Sequence, residues 1–257
     1  MKQIYASFTK TLKQFFRVRS VLFWSVAWPV LLLVLINTAS LNNVAAADLP
    51  VARAYITISM IVFALMMSGM SNLAGSIARD RETGLLVKLR SMPVSPWSDF
   101  AGRFLAMVAF AGLVTFIIVQ VGSGIGAPFG GGSTGELEAA AFLALAIIAC
   151  GGIGLIIGSV VKNTQGAITT GSALAVITSF ISGIFVPYDA LPSFLQSFAR
   201  IYPISSAGAS ASYALLGADV TGYNPLTTAQ IATTVVLSLA LIGVGTYLYS
   251  KGSWKKD

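Results

Sequence analysis

Six runs of mostly apolar residues, each about 20 long, restrict this chain more than any other feature of its sequence. They cover residues 21–41, 54–77, 99–122, 139–161, 167–186 and 228–250. A helix rising 1.5 Å per residue needs about 20 residues to cross the roughly 30 Å hydrocarbon layer of a bilayer. A helix also satisfies its own backbone N–H and C=O groups where water is absent. A soluble fold would have to cover all six runs with polar surface, yet only 10% of the residues are charged, against about 25% in soluble domains. The sequence reads as an all-α integral membrane protein with six transmembrane helices.

Lys and Arg close to span ends are retained on the cytoplasmic side. With the N-terminus inside, 14 of the 16 basic residues lie inside, and only Arg53 and Arg200 lie outside together with Asp48, Glu136, Glu138, Asp189 and Asp219. Both termini are then cytoplasmic and the chain is a multi-pass protein of the cell membrane. The same asymmetry accounts for the net charge of +7 without a nucleic-acid partner. Basic residues before Val21 and the run Ala45-Ala46-Ala47 after it imitate a secretory signal. The length of the apolar run and the patterned segment ahead of it favour retention.

That patterned segment, residues 1–20, is a separate element. At 100° per residue, Ile4, Tyr5, Phe8, Leu12, Phe15 and Phe16 share one arc of about 120°, and Lys2, Lys10, Lys13 and Arg17 cluster opposite it. This predicts an amphipathic helix lying in the cytoplasmic membrane interface. Residues 21–257 form a single six-span domain with two longer connections: a charged cytoplasmic loop at 78–98 and a nearly uncharged outer region at 187–227.

Several chemistries are excluded. Histidine is absent and Cys150 is the single cysteine, which removes the usual proton shuttle, a disulfide within the chain and a multi-cysteine metal site. The glycine run 130–135 has no following lysine, so it is not a nucleotide-binding loop. No charged residue falls near the middle of a span, where it would suggest a proton relay. Polar content at depth is neutral, as in Asn37, Asn72 and Gln120, suited to bridging helices or lining a path. The glycines at 151, 152, 154, 158, 166 and 171 allow close helix approach, and Gly154 with Gly158 make a small-xxx-small pair whose interface could lie within or between subunits. What remains is a permease powered from outside, or a stand-alone secondary carrier or channel. A membrane enzyme lacks any paired carboxylates or nucleophile and base.

In the loop at 78–98, charges come first, then Leu85, Leu86, Leu89 and Met92 recur at helical spacing before Pro93. Ser95 and Pro96 read as the N-cap and first position of the third span, with Asp99 in its first turn. The string RDRETGLLVKLRSMPVSP resembles the acidic-basic, E-x-G-x-L, then P-x-S-P pattern that follows the second span in permease subunits of ABC-2-type ABC transporters. Ser182-Gly183-Ile184-Phe185-Val186-Pro187, Leu191-Pro192, Tyr202-Pro203-Ile204 and Leu215-Leu216-Gly217 are similar to that family's fifth-span ending and outer re-entrant helices. The chain departs from the family in carrying no charge from 207 to 216.

The resemblance covers essentially the whole chain, and it implies a permease that forms a homodimer and pairs with a separate ABC ATPase. ATP and Mg would then bind the ATPase and no cofactor would bind this chain. Arg79, Asp80, Arg81, Glu82, Gly84, Leu85, Lys88 and Leu89 would form the surface that couples to the ATPase. Asn37, Asn72, Phe180, Ser182 and Phe185 would border the substrate path. The short loops suit a small amphipathic, lipid-like or drug-like export substrate better than a polymer.

Overall fold

The computed structural model describes residues 2–41, 44–91, 95–129, 134–217 and 220–254. Within these segments the side chains at 20, 40, 87, 89, 90 and 252–254 lie outside the description. The regular structure among the described residues is entirely helical. Helix α1 (Lys2–Arg17) leads through α2 (Arg19–Leu22) and a π-helical segment (Phe23–Ala27) into α3 (Trp28–Ser40). Next, α4 (Leu49–Met66), a second π-helical segment (Met67–Leu73) and α5 (Ala74–Glu82) run on as one rod, followed by the short α6 (Leu85–Arg90). The long helices α7 (Pro96–Gly124) and α8 (Thr134–Val160) and the shorter α9 (Thr164–Ile181) come next. Two short helices, α10 (Ser193–Ile201) and α11 (Pro203–Leu216), precede α12 (Thr228–Trp254).

Among the described residues, four helices are long and apolar enough to cross a membrane: Leu49–Glu82, Pro96–Gly124, Thr134–Val160 and Thr228–Lys251. Phe23–Ala39 is apolar but shorter. Helix α9 has 18 residues, and Gln165, Thr169, Thr170 and Ser172 dilute its first half. It also stops at Ile181, five residues before the predicted end of that span, because Gly183 takes a left-handed turn (φ 83°).

The rod α4–α5 is the centre of the molecule: every residue from 57 to 78 is buried, as expected of a helix apolar on all sides. Small residues let its neighbours approach closely. A Cβ at Gly154 of α8 would run into the carbonyl oxygen of Gly69, and one at Gly171 of α9 into that of Met70. The glycine seam anticipated in the fourth and fifth spans thus packs within one chain. The two π-helical segments face each other, and Asn72 Nδ2 of one donates to Ser25 Oγ of the other at 2.7 Å.

Ser95 caps α7 by accepting from the Ser98 N–H at 3.1 Å, with Pro96 at the first helical position. Helix α1 lies along the start of α7, where a Cβ at Gly102 would come within 2.5 Å of the Ile4 carbonyl oxygen. The ends of α5, α8 and α12 and the beginnings of α7 and α9 gather at one end of the bundle, called here the basic end, where α1 packs on α7 and reaches α5. At the far end, α10 and α11 fold over the bundle: Gln230 Nε2 of α12 donates to the Arg200 carbonyl at 2.5 Å, and Tyr55 Oη of α4 donates to the Gly183 carbonyl at 3.2 Å.

Candidate functional site

At the basic end four helices share one buried ion network. Asp99, in the first turn of α7, and Arg103 one turn later occupy the same helical face, and Arg103 Nε donates to Asp99 Oδ2 at 2.7 Å. Arg103 NH1 donates to Ser76 Oγ of α5 at 3.2 Å. Its NH2 lies 2.5 Å from Asp80 Oδ2, an ion pair without hydrogen-bond alignment. The Lys10 ammonium of α1 reaches that same Asp80 oxygen. One turn earlier on α1, Ser7 Oγ donates to Asp99 Oδ1 at 2.6 Å, and the Tyr249 hydroxyl of α12 donates to Asp99 Oδ2.

Asp80, Asp99, Arg103 and Tyr249 are each at most 3% exposed. Two carboxylates face one guanidinium and one ammonium, so the cluster is formally neutral, the condition under which buried charges are tolerated. Burial, with the nearby Arg103 guanidinium, pulls the Lys10 ammonium below the ordinary lysine range, while Asp80 pulls it back up.

The last turn of α5 is anchored on its other side to the junction of α8 and α9. Arg81 NH2 donates to the Ser159 carbonyl in the last turn of α8 at 3.0 Å. Glu82 Oε2 accepts from the Thr164 N–H at 3.1 Å and from the Thr164 hydroxyl, at the first turn of α9. A cation on a helix C-terminus and an anion on a helix N-terminus both match the helix dipoles. Asn163 caps α9 from the same junction, its Oδ1 accepting from the Gly166 N–H at 2.5 Å. Immediately after, Gly84 turns the chain at φ 71°, a conformation that favours glycine, and α6 begins.

The residues expected to form one coupling surface therefore separate into groups. Asp80 is buried in the ion network. Arg81 and Glu82 hold the α8–α9 junction, and Arg79 is half-buried against α1. Gly84 forms the turn, Leu85 is half-buried and Lys88 is exposed. Leu89 lies in α6, but its side chain falls outside the described residues, as do Met92, Pro93 and the glycines 130–132. Ser7, Lys10, Ser76, Asp99, Arg103 and Tyr249 were not anticipated as members of a site. The i,i+4 pair Asp99 and Arg103, and the register that puts Leu73, Ile77 and Asp80 on one helical face, were the signals available for them.

The expected path residues also separate. Phe180 and Phe185 line an open apolar groove of about 430 Å³ together with Trp24, Trp28 and Phe63. Its aromatic rings touch in series, Phe63 to Phe185 at 5.0 Å and Phe185 to Phe180 at 5.2 Å between centroids. Asn72 is buried on Ser25, and Asn37 Nδ2 donates to the Leu33 carbonyl of its own helix at 2.7 Å. Ser182 borders a separate cavity of about 30 Å³ at the far end, where its carbonyl accepts from Ser205.

The chain is similar to two probable doxorubicin resistance ABC transporter permease proteins of Mycobacterium tuberculosis, from strains CDC 1551 and H37Rv. Each is 25% identical to it over 198 residues, covering 76% of this chain and 70% of the relative. The sequence profile of the ABC-2 type transporter matches residues 2–216, from α1 to the end of α11. With an all-helical bundle built on long apolar helices and a charged turn wired into its neighbours, the chain belongs to the ABC-2 type transporter family of ABC transporter permeases.

Proposed function

We propose that this chain is the membrane-spanning subunit of an ATP-driven exporter, working as a homodimer with a separate ABC ATPase that binds the ATP and Mg. In this reading the chain crosses the cell membrane six times, Phe23–Ala39 and Thr164–Ile181 joining the four long helices. The termini and the basic end face the cytoplasm, and α10 and α11 form a re-entrant cap on the outer side.

The observation that carries the reading is the wiring of the α5–α6 turn. A force applied at Glu82, Leu85 or Lys88 reaches α8 and α9 through Arg81 and Glu82, and α1, α7 and α12 through Asp80 and Arg103. A junction that pins five helices to one short exposed turn suits the transmission of nucleotide-driven motion. The aromatic groove bordered by Phe180 and Phe185 supports a small amphipathic substrate, since no charged side chain lines it. The drug resistance named in the mycobacterial relatives agrees with that substrate class.

Reconstitution with the cognate ATPase tests the proposal. Glu82→Ala should insert normally yet lose most ATP-driven transport, and Lys88→Ala, which disturbs no contact inside the bundle, should weaken association with the ATPase. Full transport in vesicles without ATPase, driven by an ion gradient, would overturn this reading in favour of a secondary carrier.

A further inference from the structure

Beside the buried network, a cleft of about 370 Å³ opens between α1 and the end of α5. Its lining includes Lys10, Lys13, Arg17 and Arg79 but one carboxylate, Asp80, and that group is buried and shared by Lys10 and Arg103. Among the described residues Lys13, Arg17 and Arg79 enter no ion pair. The nearest other acid on α5, Glu82, is held by Thr164. Lys13 and Arg17 therefore line one concavity with no acid paired to them, and Arg79, which stands within electrostatic reach of Glu82, lines it beside them. Gln14 belongs to the same lining, and its Oε1 is buried without a hydrogen-bond partner.

The opposite flank of α1 is apolar. Leu12 and Phe16 lie beside Lys13 and Arg17 along the helix, with Phe16 45% and Tyr5 70% exposed. Packing gives α1 three faces rather than two: Ser7, Thr11 and Phe15 toward the protein, Tyr5 and Phe16 outward, and the cations between. Outward aromatic side chains next to basic ones match the boundary where acyl chains meet headgroups.

We propose that this cleft binds the headgroup of an anionic phospholipid. The phosphoryl oxygens sit among Lys13, Arg17 and Arg79, a headgroup hydroxyl donates to Gln14 Oε1, and the acyl chains run along Leu12 and Phe16. The lipid then ties α1 to α5 next to Asp80, so membrane charge sets how firmly the interfacial helix holds the rod. A soluble phosphate shares the headgroup's chemistry, but the exposed Tyr5 and Phe16 favour the lipid source over it and over an acidic patch of a partner protein. The proposal requires only that α1 lie at a membrane surface, and it is independent of transport direction and substrate.

Native mass spectrometry of the full-length permease, purified without its ATPase and offered phosphatidylglycerol or phosphatidylcholine, measures the site directly. The unaltered protein should retain phosphatidylglycerol selectively, and its melting temperature in mixed micelles should rise with phosphatidylglycerol but not with phosphatidylcholine. Removing one basic charge from such a surface weakens binding about fivefold, so Lys13→Gln with Arg17→Gln should lower retention by about twenty-fivefold. Lys2→Gln with Arg19→Gln, on the same segment but outside the cleft, should change it little. Equal losses from both pairs would reduce the effect to general surface charge and overturn the site. Displacement by inorganic phosphate or glycerol phosphate would assign the cleft to a soluble anion instead. Unchanged lipid retention in the cleft variant, with loss of ATPase co-purification, would assign it to the partner protein. Because no step needs transport, failure here leaves the exporter reading standing, and the reverse also holds.

Discussion

Arg103 is fully buried, and it is held by Asp80 and Asp99, which approach it from two different helices. Breaking a buried ion pair by removing one partner costs about 3–5 kcal/mol, because a charge is left uncompensated at low dielectric. Asp80→Asn, which leaves both Lys10 and part of Arg103 without a carboxylate, should lower the melting temperature of the detergent-solubilised protein substantially. Tyr249→Phe removes one of three hydrogen bonds to Asp99 and should cost only about 1–2 kcal/mol. Equal melting of the two variants would contradict the network. In the sequence, Asp80 looked like one more charge in an exposed acidic-basic run. Its neighbours Arg79, Arg81 and Glu82 mask the fact that it continues the face of Leu73 and Ile77, and sequence proximity does not reveal that Arg103, 23 positions on, returns to meet it.

Helix contacts divide into those whose chemistry is written locally and those that need a partner. The N-cap at Ser95, the first-turn Pro96 and the start of α1 follow from short-range rules and were legible. The close approach of α8 to the central rod depends on which side Gly154 faces, and periodicity cannot decide that in a helix apolar all round. Gly154→Val should destabilise by about 1–3 kcal/mol through collision with the Gly69 carbonyl. Gly112→Ala, which meets nothing within 4 Å, should be neutral or stabilising by up to about 1 kcal/mol, and a melting comparison of the pair checks both. The bond from Asn72 to Ser25 joins two π-helical segments, and a double-mutant cycle with Ser25→Ala and Asn72→Ala should return a coupling of about 0.6 kcal/mol, typical of side-chain hydrogen bonds within membranes. A coupling of zero would mean that the two wide turns are held by packing alone.

For the molecule as a whole, the ends of the bundle can be told apart by labelling. Glu138, near the start of α8, and Lys251, near the end of α12, are exposed at opposite ends. Glu138→Cys and Lys251→Cys should react with a membrane-impermeant maleimide from opposite sides of a sealed vesicle, with the fully buried Cys150 silent; labelling from the same side would refute the crossing direction. The sequence by itself determined that this is an all-helical membrane protein with a basic end, an amphipathic N-terminal helix and a charged turn after the second apolar run. Those properties are sums over local residues: hydropathy, helical period and the placement of Lys and Arg. Only the tertiary structure decided that Asp80 is an interior anchor, that the glycine seam lies within one chain, that Phe180 and Phe185 share a groove while Asn37 and Asn72 do not, and that α1 has three faces. Each of these depends on which surface of one helix meets which surface of another, and in a chain so uniformly apolar the local pattern leaves that choice open until the helices are packed.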